Sequence, residues 1–161
     1  MINAIKLELN RISGVLGAEF KNLSMDELQE FVQHFDFASP LVRLEPIENI
    51  LGNVMDSGAI RYDGTFNIYF LTKFESDNNS EDLRDLLIEN MLFLSEQFIS
   101  RLNKNEMLYF INPKWQWKWK IIRQITSNLL CGVMVSINLD TSCNRNAIQA
   151  GLDANLNTPV N

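Results

Sequence analysis

Residues 65–74 read Thr65-Phe66-Asn67-Ile68-Tyr69-Phe70-Leu71-Thr72-Lys73-Phe74, and their period of two decides the fold class. Phe66, Ile68, Phe70 and Phe74 fall on one side of an extended chain and Tyr69 and Leu71 on the other, which predicts a strand covered on both faces. Just before it, Tyr62-Asp63-Gly64 reads as a turn leading back to a strand at 59–61.

Working outward, a polar loop at 76–80 is followed by the longest helix, about 81–103. Its apolar stripe is Leu83, Leu86, Leu87, Met91, Leu94, Phe98 and Leu102. Glu81, Asp82 and Asp85 sit near its amide end and Arg101 and Lys104 near its carbonyl end, so the charges agree with the helix direction. Beyond a break at Asn112-Pro113, Trp115, Trp117 and Trp119 alternate with Gln116, Lys118 and Lys120. A strand there puts the tryptophans on one face and the polar residues on the other. The last strand, 132–139, turns Val133, Val135, Ile137 and Leu139 inward and Met134, Ser136 and Asn138 outward.

Toward the start of the chain, Ile2, Ile5, Leu9, Ile12 and Leu16 recur at helical spacing, and Gly14 and Gly17 mark the end of that helix. Ser24 followed by Glu27 is a capping box that opens a second helix carrying Leu28, Phe31 and Val32. Residues 41–45, closed by Pro46, read as a short edge strand. Residues 47–58 admit two turns of helix, through Ile47, Ile50, Leu51 and Val54, or a loop, through Gly52, Asn53 and Gly58. The whole predicts an α+β domain over residues 1–143, a mostly antiparallel sheet packed against one long helix and an N-terminal helix, with 144–161 a flexible tail or assembly arm.

The chain has 161 residues, 46% hydrophobic and 21% charged, which suits one globular domain and not a disordered one. Fourteen Lys and Arg against twenty Asp and Glu give a formal charge of -6, which argues against a general nucleic-acid-binding surface. No run approaches the about 18 apolar residues of a membrane span and no basic leader opens the chain, so a soluble, unexported protein is expected.

Chemistry-bearing patterns are sparse. The one histidine, His34, lies beside Phe31 and Phe35 without a nucleophile motif and reads as an ordinary structural or surface residue. Glu75, Asp77, Glu81, Asp82 and Asp85 do not have calcium-loop spacing and are explained by a loop running into a helix start. The glycines form no phosphate loop, and Cys131 and Cys143 fit neither a disulfide framework nor a zinc site. No catalytic, cofactor or metal residue is therefore expected. The tryptophan face serves the core against the long helix or a subunit interface, where aromatic residues are enriched, ahead of stacking on nucleic-acid bases, since the lysines point to the opposite face. Trp115, Trp117 and Trp119, together with Tyr69 and Leu71 on the doubly apolar strand, are the candidate interface residues.

The 39–46 segment Ser-Pro-Leu-Val-Arg-Leu-Glu-Pro, the Phe66-to-Leu71 strand, the long helix led by Asp77 to Asp85 and the closing Gly132-to-Asn138 strand before Cys143 together carry a resemblance. In this organisation the chain resembles neck and tail-completion proteins of tailed bacteriophages, tail-terminator-like proteins of Bacteroides-type phages above all. The resemblance implies a non-enzymatic virion subunit, assembled in the host bacterial cytoplasm. It would self-associate into a ring, a hexamer or higher, that terminates the tail tube and joins it to the neck connector. DNA would pass through the lumen without specific binding, and no membrane would be involved. An acidic lumen would repel phosphate. A small adaptor or chaperone-like binding protein is the other class that fits a chain without catalytic signatures.

Overall fold

The computed structural model describes residues 2–34, 40–47, 51–54, 60–74, 81–103, 118–125 and 130–141. In chain order they form α1 (Ile2–Val15), β1 (Glu19–Asn22), α2 (Met25–His34), β2 (Leu41–Leu44), β3 (Leu51–Val54), β4 (Ile60–Lys73), α3 (Glu81–Leu102), β5 (Lys118–Ile125) and β6 (Leu130–Thr141). The strands make one six-stranded sheet in the order β1-β2-β4-β6-β5, with β3 also paired to β4. The fold is α+β. Every pairing is antiparallel except β1 with β2, whose parallel ladder follows from the helix, α2, that connects them.

Local sequence explains where the helices stop and start. Gly17, at φ 71°, ends α1, with Ala18 N–H donating to Ser13 O (2.9 Å) and Gly17 N–H to Gly14 O (3.1 Å), a Schellman closure. The capping box of α2 is closed in both directions. Ser24 N–H donates to Glu27 Oε2 (2.7 Å) and Glu27 N–H donates to Ser24 Oγ (3.3 Å). Ser24, through its backbone N–H first and its hydroxyl second, holds the Glu27 carboxyl below its ordinary range.

The period of two in β4 divides its side chains between two cores. Phe66, Ile68, Phe70 and Phe74 meet Val133, Val135 and Ile137 of β6 beneath α1 and α3, where Ile5, Leu9, Ile12, Phe98 and Leu102 are buried. The Phe70 and Phe98 rings stand edge to face, centroids 5.2 Å apart. On the opposite face Leu28 of α2 packs with Leu41, Tyr69, Leu71, Ile125 and Leu130. Three layers result, two helices above the sheet and one below.

Four expectations are corrected. β2 is an interior strand between β1 and β4, not an edge, because the polar segment 19–22 adds a strand beside it. Residues 51–54 are a strand paired with Ile60–Asp63 of β4, in place of the helix or loop. Tyr62-Asp63-Gly64 is no turn: β3 and β6 pair with this stretch from both sides, and two ladders outweigh local turn preference. In α3 the buried residues are Ile88, Met91, Ser95, Phe98, Ile99 and Leu102, while Leu83 and Leu86 are exposed. The first two turns of α3 carry none of its buried residues, so a stripe extrapolated from the sequence misplaces them. The loop at 76–80, residues 104–117 and everything after 141 lie outside the described residues.

Gly132 lets β6 into the sheet. It pairs with Leu71 on one side and Ile122 on the other, and a Cβ there would fall onto the carbonyl oxygen of Phe70. Gly132→Ala is expected to destabilise the fold by about 2 kcal/mol or more, read as a lowered urea midpoint at unchanged slope. Parent-like stability would show that the close approach relaxes freely.

Candidate functional site

Two groups of side chains stand out, one at the β5 edge and one on the sheet face that carries α2. Among the described residues β5 pairs with β6 alone. Its register, Trp119 opposite Val135 and Ile121 opposite Val133, turns both apolar side chains toward the α3 face. Lys118 and Lys120, opposite Ser136 and Met134, project from the α2 face. The predicted alternation of tryptophan and lysine therefore holds where it is described, at Lys118, Trp119 and Lys120. Trp115 and Trp117 lie outside the described residues.

Trp119 is divided between core and surface. Its indole Nε1–H donates to Ser95 Oγ of α3 at 2.9 Å, and Ser95 Oγ donates in turn to Leu92 O at 2.6 Å, so the ring is fixed to the helix. Yet 38% of Trp119 remains exposed, and the neighbouring Ile121 is 60% exposed. Arg123 adds a second tie to α3, Nη1 lying 2.9 Å from Asp85 Oδ1. That ion pair accounts for one of the five acids considered as a cation site. Glu81 and Asp82 occupy the first turn of α3, and Glu75 and Asp77 lie outside the described residues.

The other two candidate interface residues are placed differently. Leu71 is fully buried and Tyr69 nearly so, in the cluster that α2 covers, so neither offers surface to another chain. Their face is covered from within by a helix whose position on the sheet is a tertiary fact. Tyr69 instead joins a polar group absent from the sequence reading. Its hydroxyl donates to Glu45 Oε1 (3.4 Å), Asn67 Nδ2 donates to Glu45 Oε2 (2.7 Å), and Ser136 Oγ donates to Asn67 Oδ1 (2.7 Å). Arg43 is fully buried beside them, its guanidinium 4.5 Å over the Tyr69 ring, with Nε donating to Leu23 O at 2.9 Å and Nη2 lying 3.9 Å from Glu45 Oε1. The signal available in the sequence was an arginine set between apolar neighbours, Leu41-Val42-Arg43-Leu44.

Chemically this group is a cross-link between β2, β4 and β6. Ser136 donates to an amide oxygen, so no base is in position to raise its nucleophilicity. Burial pushes the Tyr69 phenol above its ordinary range, reinforced by the Glu45 carboxylate. Burial likewise pushes the Cys131 thiol up, the opposite of what a reactive thiolate requires. Cys143 and the side chain of His34 lie outside the described residues, and among those described no three His, Cys, Asp or Glu come together to hold a metal ion. Among them, too, no helix is long and apolar enough to cross a membrane.

No protein-family model matches the chain, and no curated protein is significantly similar to it. The geometry alone defines the site: a cationic, partly apolar strand at the end of the sheet, with a polar cross-link on the α2 face in which both terminal nitrogens of the buried Arg43 lack a hydrogen-bond partner.

Two measurements follow. Trp119→Phe and Ser95→Ala each remove the indole bond and are expected to cost about 1 kcal/mol, while the double variant costs clearly less than their sum; strict additivity would show the bond to be energetically idle. Because folding raises the Tyr69 pKa, the folded state holds that proton more tightly than the unfolded chain. Its stabilising contribution is complete below about pH 10 and is lost as pH rises through the folded value, a loss that Tyr69→Phe abolishes in alkaline denaturation curves.

Proposed function

We propose that this protein is a structural subunit of a tailed-phage neck or tail, working by self-association into a ring that completes the tail tube and meets the neck connector. The observation that carries the reading is the β5 edge, where Trp119 and Ile121 present apolar surface on a strand paired on one side among the described residues. An edge of this kind is a template for a further strand or chain. The assignment to a phage rests on the organisation quoted above, a short strand, an apolar strand, a long acidic-led helix and a closing strand, whose counterparts in the fold are β2, β4, α3 and β6. The net charge of -6 suits a lumen through which DNA slides without adhering. Catalysis has no part in this reading.

Light scattering and particle imaging of the purified protein, alone and with isolated tails, test it. A closed ring that binds tail ends is the expected result, and Ile121→Asp shifts the protein to monomer without changing its circular dichroism. A monomer that neither assembles nor binds tails overturns the reading. A discrete dimer or a one-to-one complex overturns it in favour of an adaptor.

A further inference from the structure

The ring reading leaves open which surfaces meet, and the distribution of charge along the sheet answers this. At one end, Lys118-Trp119-Lys120-Ile121-Ile122-Arg123-Gln124-Ile125 carries three cations and no acid, in a chain whose formal charge is -6. Arg123 is engaged by Asp85, which leaves Lys118 and Lys120 exposed on the α2 face. At the other end lies β1, with α2 close to it on that same face, as the 5.2 Å approach of Lys21 Nζ to the Phe31 ring shows. Over Met25–His34, α2 carries Asp26, Glu27 and Glu30 and no lysine or arginine. Glu27 is committed to its cap, whereas Asp26 and Glu30, one turn apart, are exposed on the side away from Leu28.

The backbone at that end is oriented for a neighbour. Glu19 N–H donates to Pro40 O (3.0 Å) and Leu23 N–H to Leu44 O (3.2 Å), so the alternate amides, those of Phe20 and Asn22, point away from the sheet. Phe20 is half-buried on the α1 and α3 face, the face on which Trp119 and Ile121 stand at the other end. Lys21, on the α2 face of β1, is paired with Glu19 at 3.0 Å, so that apolar and charged features occur at both ends, on matching faces and with opposite net charge.

We infer that the partner of the β5 edge is the β1–α2 edge of a second copy of this chain, with Lys118 and Lys120 set against Asp26 and Glu30. Pairing β5 with its own copy would place lysines against lysines, and pairing α2 with its own copy would place carboxylates against carboxylates, so both two-fold arrangements are disfavoured. Unlike patches meeting head to tail generate a closed ring or an open filament, never a simple two-fold dimer. The inference rests on the proposed ring and specifies its contact.

Two charge-reversed variants, Lys118→Glu with Lys120→Glu and Asp26→Lys with Glu30→Lys, test it by sedimentation velocity with imaging, folding being checked by circular dichroism. The parent should assemble, with association weakening at least about tenfold as salt rises from about 0.05 M to about 0.5 M. Each variant alone should be monomeric, and an equimolar mixture should reassemble, since every acidic edge then finds a basic one in the other variant. Variants that assemble like the parent, or a mixture that stays monomeric, overturn the edge pairing; in the first case the ring reading survives. A mixture that recovers only open filaments keeps the edge pairing and overturns the ring. A parent that is monomeric at every concentration and low salt overturns both.

Discussion

The ladder between β4 and β6 is the constraint on which the rest of the structure depends. It runs without interruption from Tyr62 opposite Thr141 to Lys73 opposite Leu130. Because side chains alternate along both strands, this one register decides that Phe66, Ile68, Phe70, Val133, Val135 and Ile137 face the two upper helices. The same register sends Tyr69, Leu71, Leu130 and Met134 to the face under α2. The ladder also places β5, which has no other strand beside it among the described residues and is further tied to α3 through Trp119 and Arg123. A glycine at 132 is needed because the Phe70 carbonyl already occupies the space a side chain would enter.

Against this apolar frame the polar group around Arg43 acts as a register key. A fully buried guanidinium costs desolvation that its one hydrogen bond to Leu23 O, its stacking on Tyr69 and its distant carboxylate only partly offset. A slip of β2 by one residue would carry Arg43 into the core beneath α1 and α3, where apolar side chains offer it nothing. Glu45 ties the end of β2 to Asn67 and Tyr69, and Asn67 receives Ser136 from β6, so three strands are pinned at one row.

Where a segment's own pattern was enough to specify it, the sequence reading and the structure agree. Phe66 to Phe74 carries apolar residues on both faces of an extended chain, Ser24 and Glu27 carry a reciprocal cap, and 81–102 is long and charged in the sense of its dipole, and all three are seen. Segments that owe their conformation to a neighbour were not legible. Glu19-Phe20-Lys21-Asn22 is a strand because β2 lies beside it, and Leu51–Val54 because β4 does. The site divides on the same line: the opposed faces of Lys118 and Trp119 follow from period two, whereas the covering of Tyr69 and Leu71 depends on where α2 docks. Ser95, a small polar residue inside an apolar stripe, acquires its role only once Trp119 arrives from the far side of the chain.

The strand at the heart of the sheet is also the last described one to be made. β6 lies between β4 and β5, so during synthesis neither neighbour has its ladder until residues 130–141 leave the ribosome. Every earlier nascent chain lacks the template that holds β5 extended, and with it the paired arrangement of Lys118, Trp119, Lys120 and Ile121. The β5 edge in its paired form is thus completed only once residues 130–141 have been made.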